Sequence, residues 1–238
     1  MTRIKILTPG NCMSQRKIED KEVLVFAPGC ALMLYKPELA EKIHQKLQEK
    51  LGQMEMLLTC CQHDPQLPLN TKIINVCPGC DSRFRNDYWN ITTISLWEIL
   101  ARKDILELPD YSKEQMSIID ACPTRDQTGI LNAIRTVISK MNIKLVEPVN
   151  TMTKSTCCGD SYYGIIPTDK VIDLMKQRTS EMPVNEVIVY CISCVKAVFN
   201  GGKKPRLLID LVFEEETIPK TFIPDDWHKE LREYIEQH

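Results

Sequence analysis

The stretch Ser155–Asp160, with the sequence STCCGD, determines how the rest of this 238-residue chain is organised. A single cysteine precedes its adjacent cysteine pair after 34 intervening residues, and a CxxC pair follows after another 32. The first half of the chain has the same order, so each half carries five thiols. The first thiol set is Cys30, Cys60, Cys61, Cys77 and Cys80, and the second thiol set is Cys122, Cys157, Cys158, Cys191 and Cys194.

This repeated order indicates two copies of one supersecondary unit, because scattered structural cysteines would not recur in one order of five. A stretch with prolines and charges, residues 106–115, separates the copies. We predict a first half over residues 1–110, a second half over residues 111–216 and a C-terminal tail over residues 217–238. Cys12 is the eleventh cysteine and belongs to neither set, which predicts a free thiol.

Short apolar segments alternate with amphipathic ones in both halves. Residues 22–27 and 116–121 have the pattern of buried strands, and residues 37–51 and 128–141 have that of helices. Alternation of this kind predicts parallel sheets, whose ligands bind beyond the carboxyl ends of the strands. Cysteines follow those ends here. The predicted fold is therefore α/β, with two pseudo-twofold-related halves, each a small, mainly parallel sheet with flanking helices and cysteine-bearing loops at the strand ends.

The other predicted elements complete this pattern. Strands are predicted over residues 54–58, 72–77, 144–147 and 186–190, and helices over residues 80–87, 94–102 and 168–182. Thr168 is the predicted N-cap of the last helix, because its hydroxyl can accept a bond from a first-turn N–H group. In the tail, an apolar stripe at helical spacing predicts an amphipathic helix that docks either on this chain or on a partner subunit. The stripe consists of Trp227, Leu231, Tyr234 and Ile235.

Charge and hydropathy narrow the classes of partner and the compartment. The net charge is −2, from 30 basic and 32 acidic residues, which indicates neither a nucleic-acid surface nor a polybasic membrane patch. No run of 18 apolar residues occurs, and the apolar run near Met1 is too short for a signal peptide. We therefore expect a cytoplasmic protein without a transmembrane segment. In that compartment, clustered cysteines indicate metal or redox chemistry rather than disulfides.

The number of thiols in each set bears on the metal. Structural zinc takes four ligands, and so do ordinary two-iron and cubane iron–sulfur clusters. Five thiols therefore indicate either a cluster with more coordination sites or a four-cysteine site with one spare thiol. Ligand sets made only of thiolates favour iron–sulfur clusters over harder metals. Two zinc ribbons stay open as an alternative, because the stretch Cys77–Cys80 is similar to a zinc knuckle.

The repeated pattern of a cysteine, a CCG motif and a CxxC pair resembles the CCG domain, the cysteine-rich domain of heterodisulfide reductases. The resemblance covers about residues 22–213 and is fullest at Cys158-Gly159. It implies that each thiol set, all ten cysteines together, holds a noncubane [4Fe-4S] cluster. The first half departs from the pattern, since Gln62 follows its cysteine pair and only 15 residues separate Cys61 from Cys77. The missing length corresponds to the helix predicted over residues 168–182.

The same resemblance implies a function. It predicts an iron–sulfur oxidoreductase that reductively cleaves a disulfide or a related thiol substrate at its clusters. The chain has no GxGxxG motif and no ferredoxin-type cysteine run, so electrons would come from a ferredoxin-like partner subunit. Two alternatives stay open at this point: an electron-relay subunit of a dehydrogenase complex, and a structural module that binds zinc.

Three residues near the cysteines are candidates for catalytic roles. His63 could donate a proton to a leaving thiolate, since histidine titrates near neutral pH. Arg125 could hold a substrate carboxylate or phosphate, and Asp160 could lie over the second thiol set. A loop histidine bonded to a carbonyl group, an ion pair or a helix cap would explain the same residues without catalysis.

Overall fold

Residues 22–238 are described by a computed structural model, and two four-stranded sheets organise them. The strands of the first sheet are β1 (Val23–Ala27), β2 (Glu55–Met56), β3 (Thr71–Asn75) and β4 (Ile91–Ser95). Those of the second sheet are β5 (Gln115–Ile118), β6 (Lys144–Leu145), β7 (Glu186–Val189) and β8 (Lys204–Leu207). The strand orders correspond, β2-β1-β3-β4 and β6-β5-β7-β8, and all neighbours are parallel. The predicted α/β class is confirmed. Cys12 lies outside the described residues.

Helices connect the strands and cover the sheets. The first half contains α1 (Cys30–Tyr35), α2 (Pro37–Leu51), α3 (Pro78–Asp87) and α4 (Leu96–Arg102). The second half contains α5 (Thr128–Lys140), α6 (Thr168–Ser180), α7 (Ile192–Asn200) and α8 (Leu208–Val212), and the tail forms α9 (Pro224–Gln237). Between Cys61 and β3 the described chain forms turns and loop, so α6 has no counterpart in the first half.

Several predicted boundaries are wrong for identifiable reasons. The helix predicted from residue 94 begins at Leu96, because Ser95 caps it. The Ser95 hydroxyl accepts from the Trp97 N–H at 3.3 Å, and the Glu98 carboxylate accepts from the Ser95 N–H at 3.2 Å. Residues ahead of this capping box are free to extend, and they form β4.

The N-cap assigned to α6 is also wrong. Pro167 occupies the N-cap position, and the Thr168 hydroxyl instead donates to Asp225 of α9 at 2.9 Å. The predicted strand over residues 54–58 is limited to β2, whose two residues pair with β1. A tertiary contact and a short register therefore replaced two local expectations.

The interior is continuous between the halves. Phe26 and Ile74 in the first sheet and Ile188 in the second are fully buried members of one apolar cluster. Asp210 on α8 is fully buried and accepts hydrogen bonds from the Tyr35 hydroxyl at 2.6 Å and the Lys36 ammonium at 2.8 Å. A buried carboxylate needs such partners, and both come from the other half. None of the helices in residues 22–238 has the length and apolarity that a membrane span requires.

Candidate functional site

The ten cysteines of the two thiol sets lie at the carboxyl ends of the strands, as predicted, although several belong to helices rather than loops. In the first set, Cys30 begins α1 and Cys80 lies in the first turn of α3. Gly29 allows their approach, since its φ is 85° and a Cβ there would lie 3.2 Å from the Cys80 sulfur. All ten cysteines are free thiols.

The five thiols of the first set form one chain of contacts. Cys30 and Cys61 both donate hydrogen bonds to Cys60, and this lowers the pKa of Cys60 well below its ordinary value. Cys80 donates both to Cys61 and to Cys77, and the pKa of Cys80 rises because it keeps its proton. The order of contacts is therefore Cys30, Cys60, Cys61, Cys80 and Cys77.

The second thiol set has the same chain of contacts. Cys122 and Cys158 donate to Cys157 and lower its pKa, as their counterparts do for Cys60. Cys194 contacts Cys158 and Cys191, and these bonds raise the pKa of Cys194. The two sets therefore agree in arrangement as well as in sequence order, and each has a thiolate at one corresponding position.

The cover over the cysteine pair differs between the halves. In the second half, Gly159 has a φ of 109°, and a Cβ there would lie 3.0 Å from the Met175 N atom and 3.1 Å from the Val171 carbonyl oxygen, both on α6. The glycine of the CCG motif is thus required by close packing of α6. Where α6 has no counterpart, the first half has Gln62 at this position.

In the first half, residues from elsewhere in the chain cover the pair. The Tyr88 hydroxyl donates to the carbonyl oxygens of Cys61, at 3.3 Å, and His63, at 3.0 Å. The Cys60 N–H donates to the His238 carbonyl oxygen at 2.9 Å, which joins the last turn of α9 to this set. A small cavity adjoins the thiols of Cys30, Cys61 and Cys80.

The loop before the second cysteine pair is held by buried polar groups. Arg178 is 2% exposed, and its guanidinium donates to the Asn150 carbonyl oxygen at 2.8 Å and to the Ser155 hydroxyl at 3.0 Å. The Ser155 hydroxyl in turn donates to the Asp120 carbonyl oxygen at 2.9 Å. These bonds fix the stretch STCCGD at the end of β5.

The three predicted catalytic residues do not lie together. His63 is exposed beside the first set, and Arg125 and Asp160 lie beside the second. The Arg125 Nε–H donates to the Ser155 carbonyl oxygen at 2.8 Å, so this guanidinium contacts the loop of the cysteine pair. Asp160 pairs with His228 Nε2 at 3.0 Å. Their catalytic roles stay predictions.

Sequence analysis missed His228 and Lys196. The His228 ring pairs with Asp160 and stacks on Tyr163 with 3.9 Å between ring centres. The Lys196 ammonium is buried, donates to the Thr221 carbonyl oxygen at 2.6 Å and lies 4.0 Å from the Trp227 ring centre. Trp227 is 2% exposed, so this chain itself buries the start of the tail stripe. No local pattern links these residues, since α9 reaches them only in the folded chain.

No group of three or more His, Cys, Asp or Glu side chains within residues 22–238 is placed to hold a metal ion. The keyword prediction of a metal-binding protein is therefore wrong for a single ion, and the zinc module is withdrawn. Each thiol set is an extended chain of contacts rather than a shell around one point.

Comparisons with known proteins give no family. No family model matches the chain, and no curated protein matches it. Among solved structures, the chain is similar to a glutamate racemase from Bacillus anthracis, with 11% identity, a TM-score of 0.35 and coverage of 90% of this chain and 82% of that one. It is also similar to an aspartate racemase from Picrophilus torridus, with 11% identity, a TM-score of 0.34 and coverage of 90% and 99%.

These comparisons contradict the predicted disulfide reductase function, because the similar structures are amino-acid racemases and not iron–sulfur oxidoreductases. We withdraw that function together with the electron-relay alternative. At 11% identity and TM-scores of 0.35 and 0.34, the similarity carries no argument for racemase activity in this chain either.

Proposed function

We propose that this chain holds two iron–sulfur clusters, one on each thiol set, as a protein of the cysteine-rich CCG type. One observation supports the proposal above all others. Ten cysteines that are far apart in sequence meet as two sets of five, and the order of contacts is the same in both sets. Stability alone does not require such agreement, since any buried thiol packs as a small apolar group.

The residues fit a cluster better than a single ion. A multi-iron cluster takes its ligands at several separate irons, so its thiolates spread over a surface instead of surrounding one point. A chain of five thiols, with a cavity beside three members of the first set, has this form. When bound, such a cluster supplies irons that accept electrons and bind sulfur ligands. The protein supplies thiolates, and Cys60 and Cys157 already have lowered pKa values.

The surroundings of the two sets support different degrees of access. Cys157 receives a hydrogen bond from the Gly159 N–H at 3.3 Å and lies 2.8 Å from the exposed Ser161 hydroxyl. Hydrogen bonds to a ligand sulfur stabilise its charge and tune the bound metal. We place the predicted small thiol ligand at this edge of the second set. A ferredoxin-like partner remains part of the proposal, as does the cytoplasm, where thiols stay reduced.

Metal and sulfide analysis of the full-length chain tests the proposal. Protein purified without oxygen, or reconstituted with iron and sulfide, is expected to be brown and to contain roughly eight irons and eight sulfides for two four-iron clusters. Cys12→Ser serves as a matched control, because Cys12 belongs to neither set, and it should leave both contents unchanged. A colourless protein that takes up no iron under reconstitution would overturn the proposal.

A further inference from the structure

A small polar cavity lies where the two halves meet, between the two thiol sets. It has room for about 10 Å³ of positions of a water centre, which suits one water molecule. The first half contributes Asn75, Asp81 and Trp97, and the second half contributes Thr124 and Tyr190. The cavity is therefore part of the contact between the halves.

Two polar atoms of this lining have no hydrogen-bond partner among residues 22–238. One is the side-chain oxygen of Asn75, and the other is the indole nitrogen of Trp97. Both residues are 1% exposed, so bulk water does not reach them. Buried polar groups in folded proteins almost always find a partner, and ordered water is a common one.

The chemistry of the two atoms selects the ligand. The Trp97 indole can only donate a hydrogen bond, and the Asn75 oxygen can only accept one. A cation would satisfy the oxygen but not the indole, and an anion would do the reverse. A water molecule accepts from one and donates to the other. We propose that one water molecule binds in this cavity and bridges Trp97 to Asn75 as a permanent part of the contact between the halves.

This water would connect the supports of the two thiol sets. On one side, the Asn75 amide donates to Asp81 at 3.4 Å, and Asp81 lies on α3 next to Cys80. On the other side, the Tyr190 hydroxyl lies 2.8 Å from the Thr124 hydroxyl and accepts from the Ala121 N–H at 2.9 Å. Thr124 belongs to the turn that begins at Cys122. The proposal is independent of the clusters, because none of these bonds involves a metal.

The three tryptophans of the chain make a direct test possible by NMR. In full-length protein labelled with ¹⁵N at the indole nitrogens, the Trp97 indole proton should show the NOE of a long-lived bound water. Trp227 is the matched control, because its indole nitrogen is also buried without a partner but lies under the Lys196 ammonium and lines no part of this cavity. Trp89 is 92% exposed and should show only contact with bulk water.

Two variants complete the experiment. Trp97→Phe should remove the bound-water signal, and Trp227→Phe should leave it unchanged. Tyr190→Phe should also leave it, which excludes proton exchange through the Tyr190 hydroxyl as its source. Absence of the signal at Trp97, an equal signal at Trp227, or its loss in Tyr190→Phe would each overturn the proposal. Because the measurement needs no metal, its failure would leave the cluster proposal standing.

Discussion

The two halves hold their thiols in the same order of contacts but cover them by different means. In the second half α6 packs against the cysteine pair so closely that only glycine fits at residue 159. In the first half this helix has no counterpart, and Gln62 follows the pair. The comparison separates two roles that the CCG motif combines. The cysteines make the contact chain, and the glycine serves the packing of the covering helix.

The comparison also explains the position of the tail. Helix α9 begins beside the second set, where His228 pairs with Asp160, and ends beside the first, where the His238 carbonyl oxygen accepts from the Cys60 N–H. Its 14 residues contact both α1 and α6. The half without its own covering helix thus receives part of its cover from the C-terminal helix.

The largest expected effect comes from removing the anchor of this shared cover. Trp227→Ala should lower the free energy of unfolding by about 3 kcal/mol or more, because a buried aromatic side chain and its contact with Lys196 are lost. Urea denaturation measures this change. Glu233→Ala on the exposed face of α9 is the control and should change it by about 0.5 kcal/mol or less. Equal effects of the two substitutions would show that α9 is not anchored as described.

Exchanging the residue after the cysteine pair tests the comparison itself. Gly159→Gln gives the second half the residue of the first, and it should lower the free energy of unfolding by about 2–3 kcal/mol. Both the left-handed backbone and the approach of Met175 to 3.0 Å oppose a side chain there.

The reverse exchange, Gln62→Gly, is the matched control. No α6 packs at residue 62, so only the added freedom of the unfolded chain should count, about 0.4–1 kcal/mol. Thermal or urea unfolding of the two variants compares them directly. If Gly159→Gln cost no more than Gln62→Gly, the packing of α6 would not explain the glycine.

A smaller effect is expected in the pH dependence of stability. Burial of Lys196 lowers its pKa from 10.5 to about 8. Between these values the unfolded chain binds the proton and the folded chain releases it, so this group makes stability increase as pH rises from about 8 to 10.5. Relative to Lys196→Met, the wild type should gain stability over this window at no more than about 1.4 kcal/mol per pH unit. Denaturation at a series of pH values checks the difference, and parallel curves would contradict it.

Cysteine order and strand–helix alternation were enough to predict the α/β class and the meeting of thiols at strand ends. Both follow from local pattern, because parallel strands bring their carboxyl ends to one edge of a sheet. The missing counterpart of α6 could also be predicted, since only 15 residues separate Cys61 from Cys77.

Long-range contacts could not be predicted in the same way. The partners of Asp160 and Cys60 both come from α9, and the Thr168 hydroxyl bonds Asp225 instead of capping its own helix. β4 was missed because the capping box at Ser95 separates a strand from a helix within one apolar run. Such outcomes depend on which surfaces meet after folding, and no periodicity in the sequence records them.

The central claim is that both halves, despite their different covers, hold the same kind of cluster. The most direct test is iron and sulfide analysis of Cys61→Ala and Cys158→Ala, purified beside the wild type without oxygen. Each substitution removes one corresponding thiol, which no apolar side chain replaces as a ligand. We predict that each variant loses about half of the iron and sulfide and that the double variant loses nearly all. Unchanged iron in either single variant would contradict the claim for that half.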